Sequence, residues 1–303
     1  MTEPRSYGAH AVDLRAEMPP RPEDSDAGTS APLQQGPGAA PTLGVTLSFG
    51  AGTDRGLRRE LNEDSFLAVE PVFAVADGMG GHEAGEVASS VTIRTLETSD
   101  IIGTRVPSFT AADLEELIQE ANQRIREEAD GHAGTTLTGA VLVEEAGAPH
   151  WLVFNVGDSR VYRLSNGTFG QVTVDHSEVQ ELVDLGRITE EDARTHPRRH
   201  VVTRALGTGD DSDADYWLLP VEEGDRLLLC SDGLSGELTD DSIYAILSSV
   251  PDPQQACDEL IAAALRSGAR DNVTVIVVDA SDTGAGPHPA TVPSLRFTAD
   301  ADG

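Results

Sequence analysis

Short apolar runs rich in β-branched and aromatic residues recur through the middle of the chain, with turn residues between them. Their length and composition predict β-strands rather than helices. Several connections are only two to six residues long, as at 165–168 and 222–225, and such short turns favour antiparallel hairpins over parallel crossovers. The predicted strands are residues 45–49, 65–69, 72–76, 137–143, 151–156, 160–164, 171–174, 216–219, 226–230 and 273–278. We therefore expect a β-sandwich rather than a doubly wound parallel sheet.

Other segments repeat their apolar residues at helical spacing. The main predicted helices are residues 86–97, 111–130, 240–249 and 253–267. Thr110 and Asp252 stand at N-cap positions, and Gly268 follows the last helical residue, which are favoured start and stop signals. Helices in these places can cover both sheet faces, so the predicted fold class is α+β.

Composition divides the chain into three parts. Residues 1–42 and 281–303 contain prolines without an apolar repeat, and we expect a disordered leader and a disordered tail. Residues 43–280 form one predicted domain. Within it, the polar insertion at 175–209 is long for a plain connection, which predicts a functional flap.

The chain is strongly acidic, with a formal net charge of −31. The two end segments hold nine acids and four arginines, so the predicted domain keeps a charge of −26. This charge argues against nucleic acid or an anionic membrane as the main partner and suits cations. All 21 basic residues are arginine. The missing lysine excludes P-loop nucleotide hydrolases, protein kinases and Schiff-base enzymes, each of which needs one.

The sequence also indicates where the protein resides. No apolar run reaches the roughly 18 residues that a membrane-spanning helix needs, and no secretion signal is visible. We therefore expect a cytoplasmic protein with no direct membrane insertion. Cys230 and Cys257 lie in apolar runs and are expected to be buried reduced thiols. His132, His176 and His196 lie in polar stretches and are expected at the surface.

Acidic residues stand where predicted strands begin or end. The segments are Asn62-Glu63-Asp64, Asp77-Gly78, Ser231-Asp232-Gly233 and Asp271-Asn272, with Asp158 as a further candidate. A lone Asp-Gly is usually only a turn, but so many carboxylates in one place would repel one another unless a cation neutralised them. Oxygen ligands without His or Cys favour Mg²⁺ or Mn²⁺ over Zn²⁺. Two such ions can share a water and lower its pKa, which supplies a hydroxide nucleophile at neutral pH.

Two neighbours of these acids extend the candidate site. Gly78 lets the backbone approach closely, so its carbonyl is a neutral candidate ligand beside Asp77. Arg59, upstream of the acidic pair, carries a guanidinium that can donate two hydrogen bonds to a phosphate in an otherwise negative site. The alternatives are a plain turn at Gly78 and a surface arginine that balances local charge.

Taken in order, these motifs resemble the metal-dependent protein phosphatase family, the type 2C serine/threonine phosphatases, and its bacterial members in particular. The matching segments are residues 56–65, 75–82, 134–137, 155–160, 229–234 and 269–274. The resemblance covers about residues 45–279. It implies a four-layer αββα sandwich, in which two antiparallel sheets are flanked by helices. It also implies a hydrolase that releases phosphate from phosphoserine or phosphothreonine without a covalent intermediate.

The resemblance assigns the metal ligands. Asp77 corresponds to the carboxylate that bridges two Mn²⁺ or Mg²⁺ ions. Gly78 corresponds to the carbonyl ligand of one ion, and Glu63 to a direct or water-mediated ligand. Asp232 and Asp271 correspond to the ligands of the other ion.

The remaining assignments concern water, phosphate and the leaving group. Asp64 corresponds to the acid that orients the water, and Arg59 to the phosphate-binding arginine. Asp158 matches the position that, in bacterial relatives, helps to hold a third, weaker metal. Met79 stands where animal members have a histidine proposed as the general acid, so that acid is not identified here. His200 stands at a flap position where some relatives have a small polar residue, and a solvated histidine is favoured over a ligand.

The combined prediction is a bacterial phosphatase, expected as a monomer, that acts on phosphorylated proteins and opposes a serine/threonine kinase. The alternative is a catalytically silent domain of the same fold that serves as a docking surface. Loss of Asp77, Asp232 or Asp271 would favour that alternative, and all three are present. A two-metal nuclease is disfavoured by the −26 charge of the domain. A stress or sporulation regulator would usually carry sensory domains, which the short leader does not form.

Overall fold

The computed structural model describes residues 43–80, 84–99, 109–129, 133–209 and 212–281. The predicted leader, residues 1–42, lies outside the described residues, and so do His132 and the predicted tail from residue 282 onward. Strand pairing continues through Ser281, the first residue assigned to the tail.

Strands and helices alternate in groups along the chain. The first half contains β1 (Thr46–Asp54), β2 (Asp64–Val69), β3 (Val72–Met79), α1 (Ala84–Glu97), α2 (Ala111–Glu128), β4 (Gly134–Thr135), β5 (Leu137–Glu145) and β6 (Ala148–Val156). The second half contains β7 (Arg160–Ser165), β8 (Thr168–Gln171), α3 (Glu178–Asp184), α4 (Glu190–Thr195), β9 (Asp215–Pro220), β10 (Arg226–Cys230), α5 (Asp232–Ser235), α6 (Asp240–Ser249), α7 (Pro253–Ser267) and β11 (Val273–Ser281).

The long helices begin and end at residues that favour those positions. Thr110 caps α2 reciprocally, because its hydroxyl accepts the backbone N–H of Asp113 at 3.2 Å and the Asp113 carboxylate accepts the Thr110 N–H at 2.5 Å. Asp252 caps α7 by accepting the Gln255 N–H at 2.8 Å. Gly268 ends α7 with a φ of 130°, which side-chain-bearing residues rarely adopt.

Two antiparallel sheets form the centre of the fold. One sheet has the order β1-β11-β10-β7-β8, and the other has the order β2-β3-β5-β6-β9 with β4 paired to the end of β3. Alternate side chains of a strand enter different apolar clusters. Phe73 of β3 and Leu227 of β10 lie between the sheets, whereas Ala74 packs with residues of α1 and α2 and Leu228 with residues of α6 and α7. The layers are therefore helices, sheet, sheet, helices, which confirms the predicted α+β four-layer αββα sandwich.

Two parts of the strand prediction are wrong. The strand predicted at 171–174 is instead β8, which pairs with β7 across the turn Asn166-Gly167. The turn at 222–225 is not a hairpin, because β9 pairs with β6 in one sheet and β10 pairs with β7 and β11 in the other. An alternating pattern identifies a strand but not the strands that pair with it. A short connection between two sheets therefore cannot be told from a hairpin turn by its sequence.

The structure also tests the predictions for single buried or exposed residues. Cys230 and Cys257 are buried free thiols, as predicted, and burial raises the pKa of Cys230 to about 12. The surface position predicted for His176 is wrong, because the residue is only 7% exposed. In the part of the chain that the structure describes, no helix has the length and apolar character needed to cross a membrane.

Candidate metal centre

The acidic residues predicted to form a site meet at one end of the two sheets. Asp64 and Asp77 face each other across the β2–β3 pair, at the start of one strand and near the end of the other. The other acids lie just before or after strands that end at the same edge: Glu63 before β2, Asp158 after β6, Asp232 after β10 and Asp271 before β11. A cleft of about 510 Å³ is lined by Glu63, Asp77, Asp158, Asp232 and Asp271, together with Arg59, Gly78 and His200.

The backbone of Asp77 is held on both sides by two threonines. Its N–H donates to Oγ1 of Thr136 at 3.0 Å. Its carbonyl accepts the Thr136 N–H at 2.9 Å and the Thr135 hydroxyl at 2.9 Å. Burial, followed by the charges of Asp64 and the other acids, raises the pKa of the Asp77 carboxyl well above its usual range. The chain therefore holds this carboxylate firmly in a place where its negative charge is costly.

Asp64 lies behind the cleft wall, where two hydroxyls hold one of its oxygens. Ser231 and Thr274 both donate to Oδ2, at 2.8 and 2.6 Å. Burial raises the pKa of Asp64 to about 7, although these two hydrogen bonds oppose the shift. The second oxygen, Oδ1, is buried and has no hydrogen-bond partner among the described residues. The position fits an acid that orients a group in the cleft rather than one that lines it.

Asn272 organises the loop that carries Glu63. Its Oδ1 accepts the Glu63 N–H at 2.8 Å, and its Nδ2 donates to the carbonyls of Arg55 and Leu61, both at 2.9 Å. The Glu63 carbonyl accepts the Ser89 hydroxyl of α1 at 2.6 Å. Asn272 belongs to the motif at residues 269–274, but its sequence context predicts no role for it. Its position next to the candidate ligand Asp271 is the feature of the sequence that could have pointed to Asn272.

Gly78 and Gly85 are needed because three backbone segments meet here. A Cβ at Gly78 would lie 2.1 Å from the Gly85 carbonyl oxygen and 2.6 Å from that of Glu63. A Cβ at Gly85 would lie 2.4 Å from Oε1 of Glu63. A side chain at either position would therefore displace the Glu63 carboxylate or the loop after Asp77. The plain-turn alternative for Gly78 does not account for this close approach.

Arg59 bridges two of the acids. Its Nη2 donates to Oδ2 of Asp271 at 2.5 Å, and its Nη1 lies 3.7 Å from Oε2 of Glu63. Burial lowers the pKa of Arg59, but the hydrogen bond and charge of Asp271 outweigh it, and the net shift is upward. The guanidinium keeps 46% of its side-chain surface exposed, so it lies at the cleft wall within reach of a ligand.

Asp158 and Asp232 form the side of the cleft nearest the flap. Burial and the charge of Asp232 raise the pKa of Asp158 well above its usual range. Nδ1 of His200 lies 3.6 Å from Oδ2 of Asp232, while 61% of the His200 side chain is exposed. His200 is therefore a largely solvated flap residue that still faces one acid of the cleft. Arg199 and the Arg270–Glu237 ion pair also line the cleft, although the sequence pattern gives no sign of it.

The donor set fits a hard divalent cation. Its members are carboxylate and carbonyl oxygens, which Mg²⁺ and Mn²⁺ prefer. Oδ1 of Asp64 and Oδ1 of Asp232 are buried without a hydrogen-bond partner among the described residues, and the acids raise one another's pKa. As the side chains stand, no three His, Cys, Asp or Glu residues of the described ranges enclose a single ion. The fit therefore rests on the shared cleft, the unpartnered oxygens and the mutual repulsion of the carboxylates.

Comparison with known proteins gives a consistent result. The sequence model of the Protein phosphatase 2C family matches residues 51–266. Serine/threonine protein phosphatase PstP of Mycobacterium tuberculosis is 42% identical over 243 residues, which are 78% of this chain and 46% of the relative. This chain therefore spans about half the length of that relative. Serine/threonine phosphatase stp of Listeria monocytogenes is 39% identical over 241 residues, which are 75% of this chain and 93% of the relative.

Solved structures agree with the sequence relatives. The catalytic domain of serine/threonine protein phosphatase PstP in complex with two manganese ions matches with a TM-score of 0.71 at 38% identity, over 78% of this chain and 100% of that chain. Stp1 of Staphylococcus aureus matches with a TM-score of 0.71 at 32% identity, over 80% of this chain and 98% of that chain. On the family match and these relatives, the chain belongs to the protein phosphatase 2C family.

Proposed function

We propose that the protein is a metal-dependent serine/threonine phosphoprotein phosphatase. One observation carries the proposal: the five carboxylates assigned to metals come from separate segments and line a single cleft at the ends of both sheets, together with Arg59. The family match and the two manganese ions of the PstP catalytic domain support it. A catalytically silent docking domain is disfavoured, because every acid assigned to the metals lines the cleft.

The residues that the family resemblance assigns to two Mn²⁺ or Mg²⁺ ions all line the cleft wall, which supports the assignment. Asp77 would be shared, with the Gly78 carbonyl and Glu63 on one side and Asp232 and Asp271 on the other. When bound, the two ions supply an activated water at neutral pH and neutralise charge on the phosphoryl group. Asp158 would assist a third, weaker site together with Asp232. The firm backbone contacts of Asp77 and Glu63 keep these donors in place.

The chain's own groups then bind and orient the substrate. The Arg59 guanidinium lies at the cleft wall and would hold phosphoryl oxygens by charge-assisted hydrogen bonds. Asp64 has one oxygen fixed by Ser231 and Thr274, which leaves Oδ1 free to orient water. Met79 has no proton to give, so it cannot protonate the leaving oxygen. His200 has its ring near Asp232, but this contact alone does not make it the acid.

The direct test is release of phosphate from a phosphothreonine peptide and from an aryl phosphate. We expect turnover with Mn²⁺ or Mg²⁺, loss of turnover in EDTA and recovery when Mn²⁺ is restored. Turnover that persists in EDTA would contradict a metal-dependent reaction. A folded protein that binds Mn²⁺ but hydrolyses neither substrate would instead support the silent docking domain.

Replacing Arg59 tests phosphate binding separately from metal binding. Arg59→Ala should lower kcat/KM for the phosphopeptide by about 10- to 100-fold, because one or two charge-assisted hydrogen bonds to the phosphoryl group are lost. Mn²⁺ affinity, measured by calorimetry, should change much less. Arg58→Ala is the matched control, since Arg58 is an exposed neighbour outside the cleft wall. Equal losses in both variants would show that general charge, rather than the position of Arg59, is responsible.

Replacing Asp158 tests the proposed third metal site. Asp158→Asn removes one charge but keeps the size of the side chain, and it should raise the Mn²⁺ concentration for half-maximal activity by about tenfold. The tightest Mn²⁺ binding in a calorimetric titration should be unaffected, because Asp77, Asp232 and Asp271 are retained. Full turnover with an unchanged Mn²⁺ dependence would show that the third site is dispensable.

The physiological partners are part of the proposal. Phosphorylated proteins are the expected substrates, and a serine/threonine kinase is the expected opposing enzyme. The charge of −26 carried by residues 43–280 disfavours nucleic acid as a partner. This negative charge favours phosphorylated proteins with basic residues beside the phosphate over those with acidic residues there.

A further inference from the structure

The turn that carries Asp158, residues 157–160, is held from outside the cleft by two consecutive residues. Asp175 and His176 are the first residues of the predicted flap, and both are largely buried. Neither has a part in the metal and phosphate assignments made above. Their side chains contact opposite ends of the turn, Arg160 at one end and Gly157 at the other.

His176 pairs with Gly157 through two hydrogen bonds of opposite direction. The Gly157 N–H donates to Nδ1 of the imidazole at 3.1 Å, and the His176 backbone N–H donates to the Gly157 carbonyl at 2.9 Å. A backbone N–H has no lone pair, so Nδ1 must be unprotonated and the ring proton lies on Nε2. Nε2 lies 3.3 Å from Oδ2 of Asp215, whose other oxygen accepts from Arg204 at 3.0 Å. The ring is therefore fixed at both nitrogens.

Asp175 holds the other end of the turn. Its carboxylate accepts from Nε of Arg160 at 2.9 Å and from Nη2 at 2.7 Å, which is the bidentate arrangement favoured by a planar guanidinium. Gln171 donates to the same carboxylate at 2.7 Å. Nη1 of Arg160 donates to the Tyr162 hydroxyl at 2.8 Å, so the guanidinium has no freedom to turn away.

The inner side of the turn is equally constrained. Gly157 has a φ of 107°, and a Cβ there would lie 2.6 Å from Cγ2 of Thr136. Oγ1 of Thr136 contacts the Ser159 hydroxyl at 2.8 Å and accepts the Asp77 N–H at 3.0 Å. The position of Asp158 is therefore linked to Asp77 on one side and to Asp175 and His176 on the other.

The same residues also anchor the flap. The His176 carbonyl accepts the Thr203 N–H at 2.8 Å, and Ser177 forms an isolated antiparallel bridge with Val202. Val202 and His200, in the segment by which the flap returns to the domain, line the cleft. A displacement of the flap base is thus transmitted to His176 and from there to Gly157.

We propose that Asp175 and His176 are positioning residues that lock the Asp158 turn and couple it to the base of the flap. The inference rests on the proposed function, in which Asp158 assists the weaker metal site. Neither residue touches the substrate in this scheme. Their action is exerted through hydrogen bonds to Gly157 and Arg160.

Two amide replacements of His176 separate its two contacts. In His176→Asn an oxygen takes the place of Nδ1, so the acceptor for the Gly157 N–H is kept. In His176→Gln the amide reaches the Nε2 position, so the contact with Asp215 is kept and the acceptor for Gly157 is lost. The matched control is His196→Asn, a flap histidine whose Nδ1 accepts from Arg198 and which does not contact the turn.

Amide hydrogen exchange of the whole protein in EDTA is the primary measurement, because it requires neither metal nor activity. We expect His176→Gln and Asp175→Asn to speed exchange of residues 157–160 by about five- to tenfold, as the loss of one buried hydrogen bond predicts. His176→Asn and the control should exchange as the native chain does. Exchange in His176→Gln at the native rate, or equal loosening by Asn and Gln, would overturn the proposal.

A calorimetric Mn²⁺ titration separates this proposal from the function on which it rests. His176→Gln should weaken the weakest Mn²⁺ binding step by about five- to tenfold, whereas His176→Asn should bind Mn²⁺ as the native chain does. Asp158→Asn should weaken that step by about tenfold but leave the exchange of the turn slow. If Asp158→Asn leaves Mn²⁺ binding unchanged, the third-ion role is wrong, and the exchange experiment still decides whether the turn is locked. Should His176→Gln fail to fold, Asp175→Asn gives the same readouts through Arg160.

Discussion

Asp77→Asn is expected to lower kcat for an aryl phosphate by at least about a thousandfold in saturating Mn²⁺. It is the largest effect on activity that the structure predicts for a single atom change. In the proposed site Asp77 would be the one carboxylate shared by both ions, so its loss would weaken both positions together. The amide keeps the shape of the side chain, and the backbone contacts with Thr135 and Thr136 do not involve the replaced atom.

The same substitution should leave the metal-free fold as stable as the native chain or more stable. The pKa of Asp77 is raised by burial and by Asp64, Asp232, Asp158 and Asp271, so its charge opposes folding when no cation is bound. Thermal unfolding in EDTA and in Mn²⁺ measures both effects. We expect Asp77→Asn to match or exceed the native Tm in EDTA and to gain less from Mn²⁺.

Asp241→Asn is the control for this experiment, because Asp241 is an exposed acid in the first turn of α6. It should retain native activity and the native response to Mn²⁺. An Asp77→Asn protein that is folded and within about tenfold of native kcat would contradict the assignment of Asp77 as the shared ligand. A lower Tm in EDTA would contradict the repulsion among the cleft carboxylates.

The acidic cleft was accessible from sequence because each acid stands beside a strand. Antiparallel pairing brings the start of one strand and the end of the next to the same edge, so Asp64 and Asp77 were expected together and do face each other. The sheet that each strand joins was not accessible. The segment 222–225 has the length and glycine of a hairpin turn, yet it connects β9 and β10 in different sheets. Sheet membership is decided by side-chain packing between distant strands, which local patterns do not encode.

The groups that support the acids were beyond sequence reasoning for a related reason. Asn272 binds backbone atoms of Arg55, Leu61 and Glu63, more than 200 residues earlier in the chain. A polar residue after an acid gives no indication of such distant partners. His176 was misjudged because its neighbours are polar, although its ring is buried by the contacts with Gly157 and Asp215. Polar context predicts exposure only where the polar neighbours themselves point to solvent.

The metal-free protein is expected to lose stability as the pH rises from about 4 to about 7. Asp64 has a pKa of about 7 in the fold and an ordinary value of 3.8, because burial outweighs the hydrogen bonds from Ser231 and Thr274. Between these values the native state binds a proton that the unfolded chain has released. Folding is therefore favoured at low pH, and this contribution is lost as Asp64 ionises. The pKa values of Asp77 and Asp158 are also raised by burial and by neighbouring acids, which extends the loss toward higher pH.

Denaturant unfolding in EDTA at pH 5 and pH 8 measures this loss, which should be on the order of 3 kcal/mol. The overall acidity of the chain acts in the same direction, so the cleft is isolated by comparison with Asp64→Asn. In that variant the free energy of unfolding should differ less between pH 5 and pH 8, because one of the titrating carboxyls is absent. Excess Mn²⁺ should reverse the trend, because the cation binds the ionised carboxylates and so favours the fold at pH 8. Equal pH dependence in the native chain and in Asp64→Asn would contradict the assignment of this loss to the ionisation of Asp64.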